Sequence, residues 1–496
     1  MLQTLSRNKE KTLIFCLVGI YLLFACLWQD ILFYDESYYL DRGTQIHASM
    51  FLHELTEGPL YSLWFRVLSF VCPNPVWRYF FSWGLLVTIV AIIPWLMRIR
   101  SAWIYVLILF SVPFFSVGPY VSLFASMFFV IGLCLILRWN LSVVEALSQC
   151  CLLCFVAAFC RPEFEYGVFV SGIAAVIAIV AKGFQESKRK ATLAVFVILC
   201  LMGTMLVVIS HSDQSRSGLA FVQHFNVRAS EKGLLGGESP PLSLYAYKVF
   251  HVAAGRKATI GVFFHSNPRL FLGHLAANAA DPKFFLPLMF LLAVLAYTWL
   301  IKKDRSLLPA SIFILMISVP VVVGSLVIYP RRHYAVIAFP AIVLFALQVF
   351  MPRRAIRTVS VPLLLILATA LIVAKPLVKR QIPNKHSGLL TIHCLRDLEA
   401  SRPERSSTMF DSIGIPNVYF ARPKARGAIF DLTDLQSFES WASQTRPDWI
   451  LAGPEMEMQY HISEVQLNEF AIGDLGYVPH TFAAATGLTV YSVPDR

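Results

Sequence analysis

Two adjacent carboxylates follow the first apolar run of the chain, in the sequence FYDESYYLDRG. Asp35 and Glu36 lie where a membrane helix is expected to end, and Tyr34, Tyr38 and Tyr39 surround them. Acidic groups this close to hydrocarbon are costly to place, so a pair of them points to a function. We predict that Asp35 is a general base that takes a proton from an incoming hydroxyl group, with its neighbour supporting it. The alternative, that both carboxylates bind a divalent cation through oxygen, is left open.

A pair of arginines forms the second group, in the sequence YPRRHYAVIAFP. Arg331 and Arg332 lie at the outer end of an apolar run, on the side of the membrane that is otherwise poor in basic residues. A guanidinium group keeps its charge and presents a fork of donors that matches a phosphate. These residues therefore predict a phosphate clamp, and snorkelling to lipid head groups is the competing interpretation.

The sequence FCRPEFEYG provides a third group of charged residues. Arg161, Glu163 and Glu165 lie at another outer helix junction, where a local ion pair and a substrate-binding role are equally good interpretations. His53 and Tyr61, in the first polar segment, are added as candidate substrate-binding residues. No Cys/His spacing typical of a metal site is present.

Membrane helices must position these groups. Of 496 residues, 57% are hydrophobic and 15% are charged, whereas about a quarter of the residues of a soluble domain are charged. Apolar runs long enough to cross a bilayer recur along the chain. We predict eleven transmembrane helices, at about residues 12–30, 79–97, 101–117, 119–137, 141–160, 164–181, 191–210, 284–301, 307–328, 334–351 and 358–375.

Lysine and arginine are concentrated in alternate short loops, which sets the orientation of the helices. With the N-terminus inside, the segments 31–78, 211–283 and 376–496 lie outside the cytoplasm. The net charge of +12 is then an orientation signal and gives no indication of nucleic-acid binding. The first run lacks a small-residue cleavage site, so we expect it to remain as an anchor.

The outer segments have their own patterns. Strand-like stretches at 407–412, 427–432, 448–453 and 488–493 alternate with helix-like ones at 388–401 and 432–444. This alternation predicts a small α/β domain over 376–496 that covers a transmembrane domain formed by residues 1–375.

The 211–283 segment ends in an apolar pattern of helical spacing. Leu270, Phe271, His274, Leu275 and Asn278 predict an amphipathic helix lying on the outer membrane surface.

Only two of the ten cysteines are predicted outside the cytoplasm. A disulfide between Cys72 and Cys394 is left open.

Several of these motifs resemble the GT-C membrane glycosyltransferases, the superfamily of protein O-mannosyltransferases and bacterial lipid A aminoarabinose transferases. FYDESYYLDRG…EGPLYSLWFRVLS is similar to their first outer loop, in which an Asp-Glu pair precedes a Pro-Leu-Tyr helix start. RRHYAVIAFPAIVLFAL resembles their later Arg-x-Tyr…Pro helix, and RPE at 161–163 is similar to a junction in some members. Gly58 departs from the pattern, because many members carry a second proline there. The matching residues are Asp35, Glu36, Pro59, Leu60, Tyr61, Arg332, Tyr334 and Pro340.

The resemblance implies a GT-C-like helical membrane enzyme with a C-terminal extracytoplasmic α/β domain. Such enzymes move a sugar from a polyprenyl-phosphate carrier to an acceptor outside the cytoplasm, usually with inversion. Here the acceptor would be a glycan, a lipid or a protein. Asp35 is then the catalytic base, and Arg331, Arg332 and Tyr334 bind the donor phosphate. No cofactor is implied beyond the optional divalent cation.

Two other functions remain as alternatives. A glycan polymerase or ligase that uses a lipid-diphosphate donor would employ His224, Arg228 and Arg256 in the long outer segment. A non-enzymatic lipid or glycan transporter would place charged residues near the middle of the membrane. The Asp-Glu segment favours the glycosyltransferase. Short inner loops favour a bacterial inner membrane, with the site and the C-terminal domain facing the periplasm, and an endoplasmic reticulum location is left open.

Overall fold

The structure is a computed structural model, and its described residues cover most of the chain. They are residues 2–25, 30–31, 33, 36–53, 58–99, 102–111, 121–181, 188–211, 216–235, 243–253, 258–328, 332–350, 387–400, 409–412, 415, 417–419, 435–453, 456, 462–481 and 488–494.

Helices dominate the chain up to residue 350. In chain order they are α1 (Leu2–Ala25), α2 (Glu36–Thr44), α3 (Met50–His53), α4 (Pro59–Ser69), α5 (Pro75–Leu96), α6 (Ala102–Ser111), α7 (Val121–Trp139), α8 (Val143–Ala158), α9 (Phe164–Ala181), α10 (Lys188–His211), α11 (Arg216–Glu231), α12 (Tyr245–Phe250), α13 (Ile260–Ser266), α14 (Pro268–Ala279), α15 (Pro282–Ala296), α16 (Leu308–Val327) and α17 (Arg332–Phe350). A π-helical turn, Tyr297–Lys302, extends α15, and a 3-10 turn, Arg305–Leu307, precedes α16.

Six of these helical segments are long and apolar enough to cross a bilayer, which makes the chain a helical membrane protein. They are Pro75–Leu96, Val121–Trp139, Phe164–Ala181, Ala191–Ser210, Pro282–Lys302 and Arg305–Val327. Each coincides with a predicted apolar run. Two shorter apolar helices, Val143–Ala158 and Val336–Phe350, match two further runs. The predicted run at 358–375 lies outside the described residues.

The α7 helix lies at the centre of the bundle and α10 at its edge. In α7, 67% of the most apolar stretch is buried inside the protein, whereas in α10 the share is 17%. The exposed face of α10 is apolar, as expected for a surface in contact with lipid acyl chains. Gly167 lets α9 approach α8 and α16 closely, because a Cβ there would lie 2.8 Å from Cys154 Sγ and 2.9 Å from Pro320 Cγ.

Three helix starts share one sequence pattern, a capping residue followed by proline. Asn74 accepts hydrogen bonds from the amides of Val76 and Trp77, at 2.9 and 3.2 Å, and α5 then begins at Pro75. Asn267 caps α14 and Asp281 caps α15 in the same way. Proline suits this position because the first amides of a helix have no partner within it.

Residues 211–283, called the long outer segment after their predicted location, contain four described helices, α11 to α14, around a small aromatic core. Phe221 lies at its centre, with ring centroids 5.0 Å from Phe263 and 5.4 Å from Phe271. The predicted helix over 270–278 is present in α14. Its position on the membrane surface stays a prediction, and the helix face named for it is turned into the protein. Phe271, His274 and Asn278 are buried. The polar side chains turn towards the protein because they bond to the end of α16, as described below.

The C-terminal segment contains a four-stranded sheet. Its strands are β1 (Met409–Asp411), β2 (Trp449–Ala452), β3 (Val478–Thr481) and β4 (Thr489–Ser492), in the order β1-β2-β4-β3, with β1 and β2 parallel and the other pairs antiparallel. The described helices of this segment are α18 (Ser387–Ala400), α19 (Leu435–Thr445) and α20 (Glu464–Asn468). The predicted strand at 427–432 lies outside the described residues, and β3 was not predicted.

Strands β1, β2 and β4 are buried on both faces of the sheet. On one face Phe410, Ile450 and Tyr491 join Phe438 of α19 in a core of their own. On the other face Leu451 and Val490 belong to the same hydrophobic cluster as the helical bundle. Alternate residues of a strand point to opposite faces, so these short apolar strands connect two cores.

Asp41 of the first outer segment (residues 31–78) and Asp30 just before it hold the C-terminal segment in place. Asp30 accepts hydrogen bonds from the amides of Gly388 and Leu389, at 2.8 and 2.9 Å, and so caps α18 from a distant part of the chain. Asp41 Oδ1 accepts a bond of 2.8 Å from the amide of Val418.

The open disulfide question is answered here, since Cys72 and Cys394 are both free thiols.

We expect Asp30→Ala to loosen α18 from the first outer segment. The variant loses the acceptor for two helix amides, and loss of a helix cap typically costs about 1–2 kcal/mol. Amide hydrogen exchange over residues 387–400 should accelerate accordingly. Asp281→Ala, which removes the local cap of α15, is the matched control and should leave that peptide unchanged. Equal exchange in both variants would contradict the long-range cap.

Candidate active site

The segment that carries the Asp-Glu pair is held between two partners. Glu36 is the first residue of α2, while Asp35 and the Glu36 side chain lie outside the described residues. On one side, the α2 residue Tyr39 packs its ring 5.1 Å from that of Tyr61 in α4. On the other side, Asp41 binds Val418. The predicted base and the cation alternative therefore both stay predictions. The contacts of the segment that carries them are known on these two sides.

Gly58 explains the departure from the resembled family's second proline. Its φ is +60°, which proline cannot adopt because its ring fixes φ near −65°. A Cβ at Gly58 would also lie 2.8 Å from the Tyr39 ring and 3.0 Å from the Cys160 carbonyl oxygen. In the first turn of α4, the Leu60 amide donates to the Phe159 carbonyl, next to Cys160, at 3.0 Å. The first outer segment therefore touches the junction between α8 and α9 directly.

Tyr61 and His53 have different environments. Tyr61 is fully buried, and its ring lies 5.1 Å from Phe65 and 5.3 Å from Phe124 of α7. These contacts join α4 to the bundle, so a substrate would reach Tyr61 only by displacing them. His53 ends α3 and is exposed, so its substrate-binding role stays a prediction.

Arg161 and Glu163 form a largely buried ion pair at the α8–α9 junction. Arg161 Nη2 donates to Glu163 Oε1 at 2.8 Å, and the two side chains are 9% and 20% exposed. The second oxygen of Glu163 is buried and makes no hydrogen bond within the described part of the chain. The pair lies beside α16, because a Cβ on Gly324 would be 3.5 Å from Glu163 Cγ.

The predicted phosphate clamp begins just beyond that point of α16. The helix ends at Val327, and Arg332 is the first residue of α17. Arg331 lies outside the described residues, as do the side chains of Arg332 and Tyr334. Their position in the chain nevertheless puts the start of α17 at the same end of the bundle as Glu163.

Three predicted site segments therefore converge at one end of the bundle. The first outer segment bonds to Phe159, the adjoining Arg161–Glu163 pair lies against the last turns of α16, and α17 starts a few residues later. The described side chains at this end are the Arg161–Glu163 pair. The segments predicted to carry a general base and a phosphate clamp begin close to that pair.

Polar side chains from α11 and α14 form hydrogen bonds at the end of α16. These contacts were not predicted from the sequence. Asn278 donates from Nδ2 to the Leu326 carbonyl at 2.8 Å, and His274 Nε2 lies 3.1 Å from the Ile328 carbonyl. Arg228 donates to Asn278 Oδ1 and, at 2.9 Å, to the Ala277 carbonyl. The sequence signal was the polar pair His274 and Asn278, four residues apart on an otherwise apolar helix face.

His274 is neutral at physiological pH. Burial is the main cause that lowers its pKa to about 4, and the nearby charge of Arg228 contributes in the same direction. A neutral imidazole carries one N–H, and the two carbonyls beside Nε2, of Val327 and Ile328, favour the proton on that atom. The 3.0 Å approach of Asn278 Nδ2 to the same nitrogen is then a contact between two donors.

Comparisons with known proteins give no relative for this site: no family model matches the sequence, and no similar chain is found among curated proteins or solved structures. Within the described ranges, no group of three or more His, Cys, Asp or Glu side chains is arranged to hold a metal ion. Because Asp35 and the Glu36 side chain are not among them, the divalent cation also stays a prediction.

We expect Gly58→Ala to separate the first outer segment from the α8–α9 junction. Alanine at positive φ costs about 1–3 kcal/mol, and its methyl group would also collide with Tyr39. The apparent melting temperature should fall, and hydrogen exchange should rise in peptides covering residues 36–69. Gly233→Ala is the matched control, since Gly233 also has positive φ but has open space around its Cβ position. If both variants lose the same stability without local exchange at 36–69, the close contact is not important.

Proposed function

We propose that this protein is a membrane glycosyltransferase that transfers a sugar from a polyprenyl-phosphate carrier to an acceptor outside the cytoplasm. The observation that carries the proposal is the convergence of the Asp-Glu segment, the Arg161–Glu163 pair and the start of α17 at one end of the bundle. A lipid-linked donor needs its site at a membrane surface. An acceptor hydroxyl needs a base, and a leaving phosphate needs cationic donors.

In the proposed reaction Asp35 takes the proton of the acceptor hydroxyl while the oxygen attacks the anomeric carbon of the sugar. The bond from that carbon to the phosphate oxygen breaks on the opposite face, so the configuration inverts. The polyprenyl phosphate leaves with its charge next to Arg331 and Arg332, with Tyr334 beside them. Asp35 then returns its proton to solvent. Glu36 supports Asp35, and Arg161 and Glu163 shape the adjoining substrate surface.

We further propose eleven transmembrane helices, with the C-terminal segment on the outer side. The contacts of Asp30 and Asp41 with residues 388–418 support this, because segments in contact lie on one side of the membrane. An even number of crossings must then separate them. The described part of the chain has eight apolar helices of spanning or slightly shorter length in between, α5, α7–α10 and α15–α17. The ten-residue apolar helix α6 and the predicted run at 358–375 make ten. A bacterial inner membrane with the site facing the periplasm is the location we propose.

The alternatives are less well supported. Arg228, which a lipid-diphosphate ligase would use for catalysis, is engaged with Asn278 and Ala277. His224 is buried, and Arg256 lies outside the described residues. A transporter would need charge near the middle of the membrane, whereas the charged residues of the six long apolar segments lie at or near their ends.

We expect Asp35→Asn to reduce sugar transfer by about 10²–10⁴-fold, the usual contribution of general base catalysis. The amide keeps the shape of the side chain and removes the base, so donor binding should be nearly unchanged. The measurement is release of polyprenyl phosphate from a polyprenyl-phosphate sugar by purified protein, with Asp281→Asn as the control. Transfer at the wild-type rate would contradict the assignment. Loss of activity on chelation, and an equal loss in Glu36→Gln, would instead favour the cation alternative.

We expect Arg332→Ala to weaken donor binding by one to two decades. A charge-assisted hydrogen bond to a phosphate contributes about 1.5–3 kcal/mol, which corresponds to that range of dissociation constants. Arg332→Lys should recover only part of the affinity, because it keeps the charge and loses the fork of donors. Arg269→Ala, an exposed arginine in the long outer segment, is the control. Unchanged affinity in Arg332→Ala would remove Arg332 from the site.

A further inference from the structure

The end of α16 is closed by side chains from another segment. The last carbonyl groups of any helix lack partners within it. In α16 the Leu326 carbonyl accepts from Asn278 at 2.8 Å, while His274 Nε2 lies 3.2 Å from the Val327 carbonyl and 3.1 Å from that of Ile328. Two residues of α14 therefore serve three successive carbonyls: those of Val327 and Ile328 share the one N–H of His274, and Asn278 Nδ2 also reaches the Ile328 carbonyl at 3.4 Å.

These two residues are themselves fixed. His274 is 5% exposed and Asn278 is fully buried. The imidazole ring lies 5.3 Å from the ring of Phe221 and 5.4 Å from that of Phe225, both in α11. The α11 residue Arg228 donates to the remaining amide oxygen, Asn278 Oδ1. The bonds to α16 thus rest on a rigid support of aromatic rings and a guanidinium group.

The supported carbonyls immediately precede the start of α17, where Arg332 is the first residue. We propose that His274 and Asn278 are positioning residues: by holding the end of α16 they set where Arg332 starts α17, and so align it with the donor phosphate. This inference rests on the proposed function. It assigns to the long outer segment the task of setting the phosphate clamp without touching the substrate.

The test uses full-length protein in detergent and two readouts. The first is hydrogen exchange over residues 322–335, which reports on the end of α16 whatever the protein does. The second is binding of farnesyl phosphate, a short polyprenyl phosphate, compared with farnesol, which lacks the phosphate. His274→Phe keeps the ring contacts and removes the donor. His274→Gln replaces the donor with an amide N–H.

We expect His274→Phe to accelerate exchange over 322–335 and to weaken farnesyl phosphate binding about tenfold, the scale of one buried hydrogen bond. Farnesol binding should not change, and His274→Gln should restore both properties. Arg228→Met removes the hydrogen bonds to Asn278 Oδ1 and the Ala277 carbonyl and should give a smaller change in the same direction. This variant replaces His274→Phe in the test if His274→Phe does not fold. His265→Phe, at an exposed histidine of α13, should change neither readout.

Two results would overturn the inference: unchanged exchange in His274→Phe and Arg228→Met, or faster exchange with unchanged affinity for farnesyl phosphate. A third result separates the inference from its premise. If wild-type protein binds farnesyl phosphate no more tightly than farnesol, the proposed function itself fails, and the clamp has no phosphate to align.

Discussion

The backbone groups at helix ends need hydrogen-bond partners from outside the helix. In this protein, side chains from distant parts of the chain provide several of these partners. A helix supplies partners for all of its backbone groups except those of its first and last turns, and an unsatisfied group is costly away from water. Asp30 satisfies the first amides of α18, and Asn278 with His274 satisfies the last carbonyls of α16. Lys302 does the same for α17, with its Nζ 3.2 and 2.8 Å from the carbonyls of Gln348 and Val349. The arrangement of the outer segments follows from these contacts.

The same contacts explain how polar segments are fixed on a bundle whose own surface is apolar. Buried hydrophobic area is not directional, so it holds segments together without specifying their register. A hydrogen bond to one helix terminus has a direction and a single partner. The first outer segment is therefore anchored at three places: at α18 through Asp30, at residue 418 through Asp41, and at the α8–α9 junction through the turn after Gly58. A site assembled from separate segments needs this kind of constraint.

The sequence predicts six membrane-length helices correctly and the contacts between segments poorly. Apolar runs of about 20 residues define membrane helices because the bilayer requires that length, and α9 matches its predicted run of 164–181 residue for residue. The partners of Asp30 and Asp41 lie more than 350 residues away, where no periodicity in one sequence connects them. The helix α14 was predicted, but its polar residues were assigned to the membrane surface, because a buried histidine and a water-facing histidine look alike in sequence. Strand β3 was missed because Pro479 argues against a strand, and it is tolerated there because β3 is at the edge of the sheet.

The charges at the end of the bundle where the three segments converge indicate which arginines can bind the donor phosphate. Arg161 already faces Glu163 at 2.8 Å, so a neighbouring carboxylate balances its charge. A guanidinium that is neutralised by a neighbouring carboxylate attracts a phosphate less strongly than one without such a partner. Removing either member of the pair would leave an uncompensated charge in a sheltered place, which is a cost in stability separate from any role in catalysis. Under the proposed function, Arg161 is therefore not expected to supply the main attraction for a leaving phosphate, and Arg331 and Arg332 stay the predicted phosphate clamp. The Arg161–Glu163 pair is better suited to fixing the junction on which the Asp-Glu segment rests.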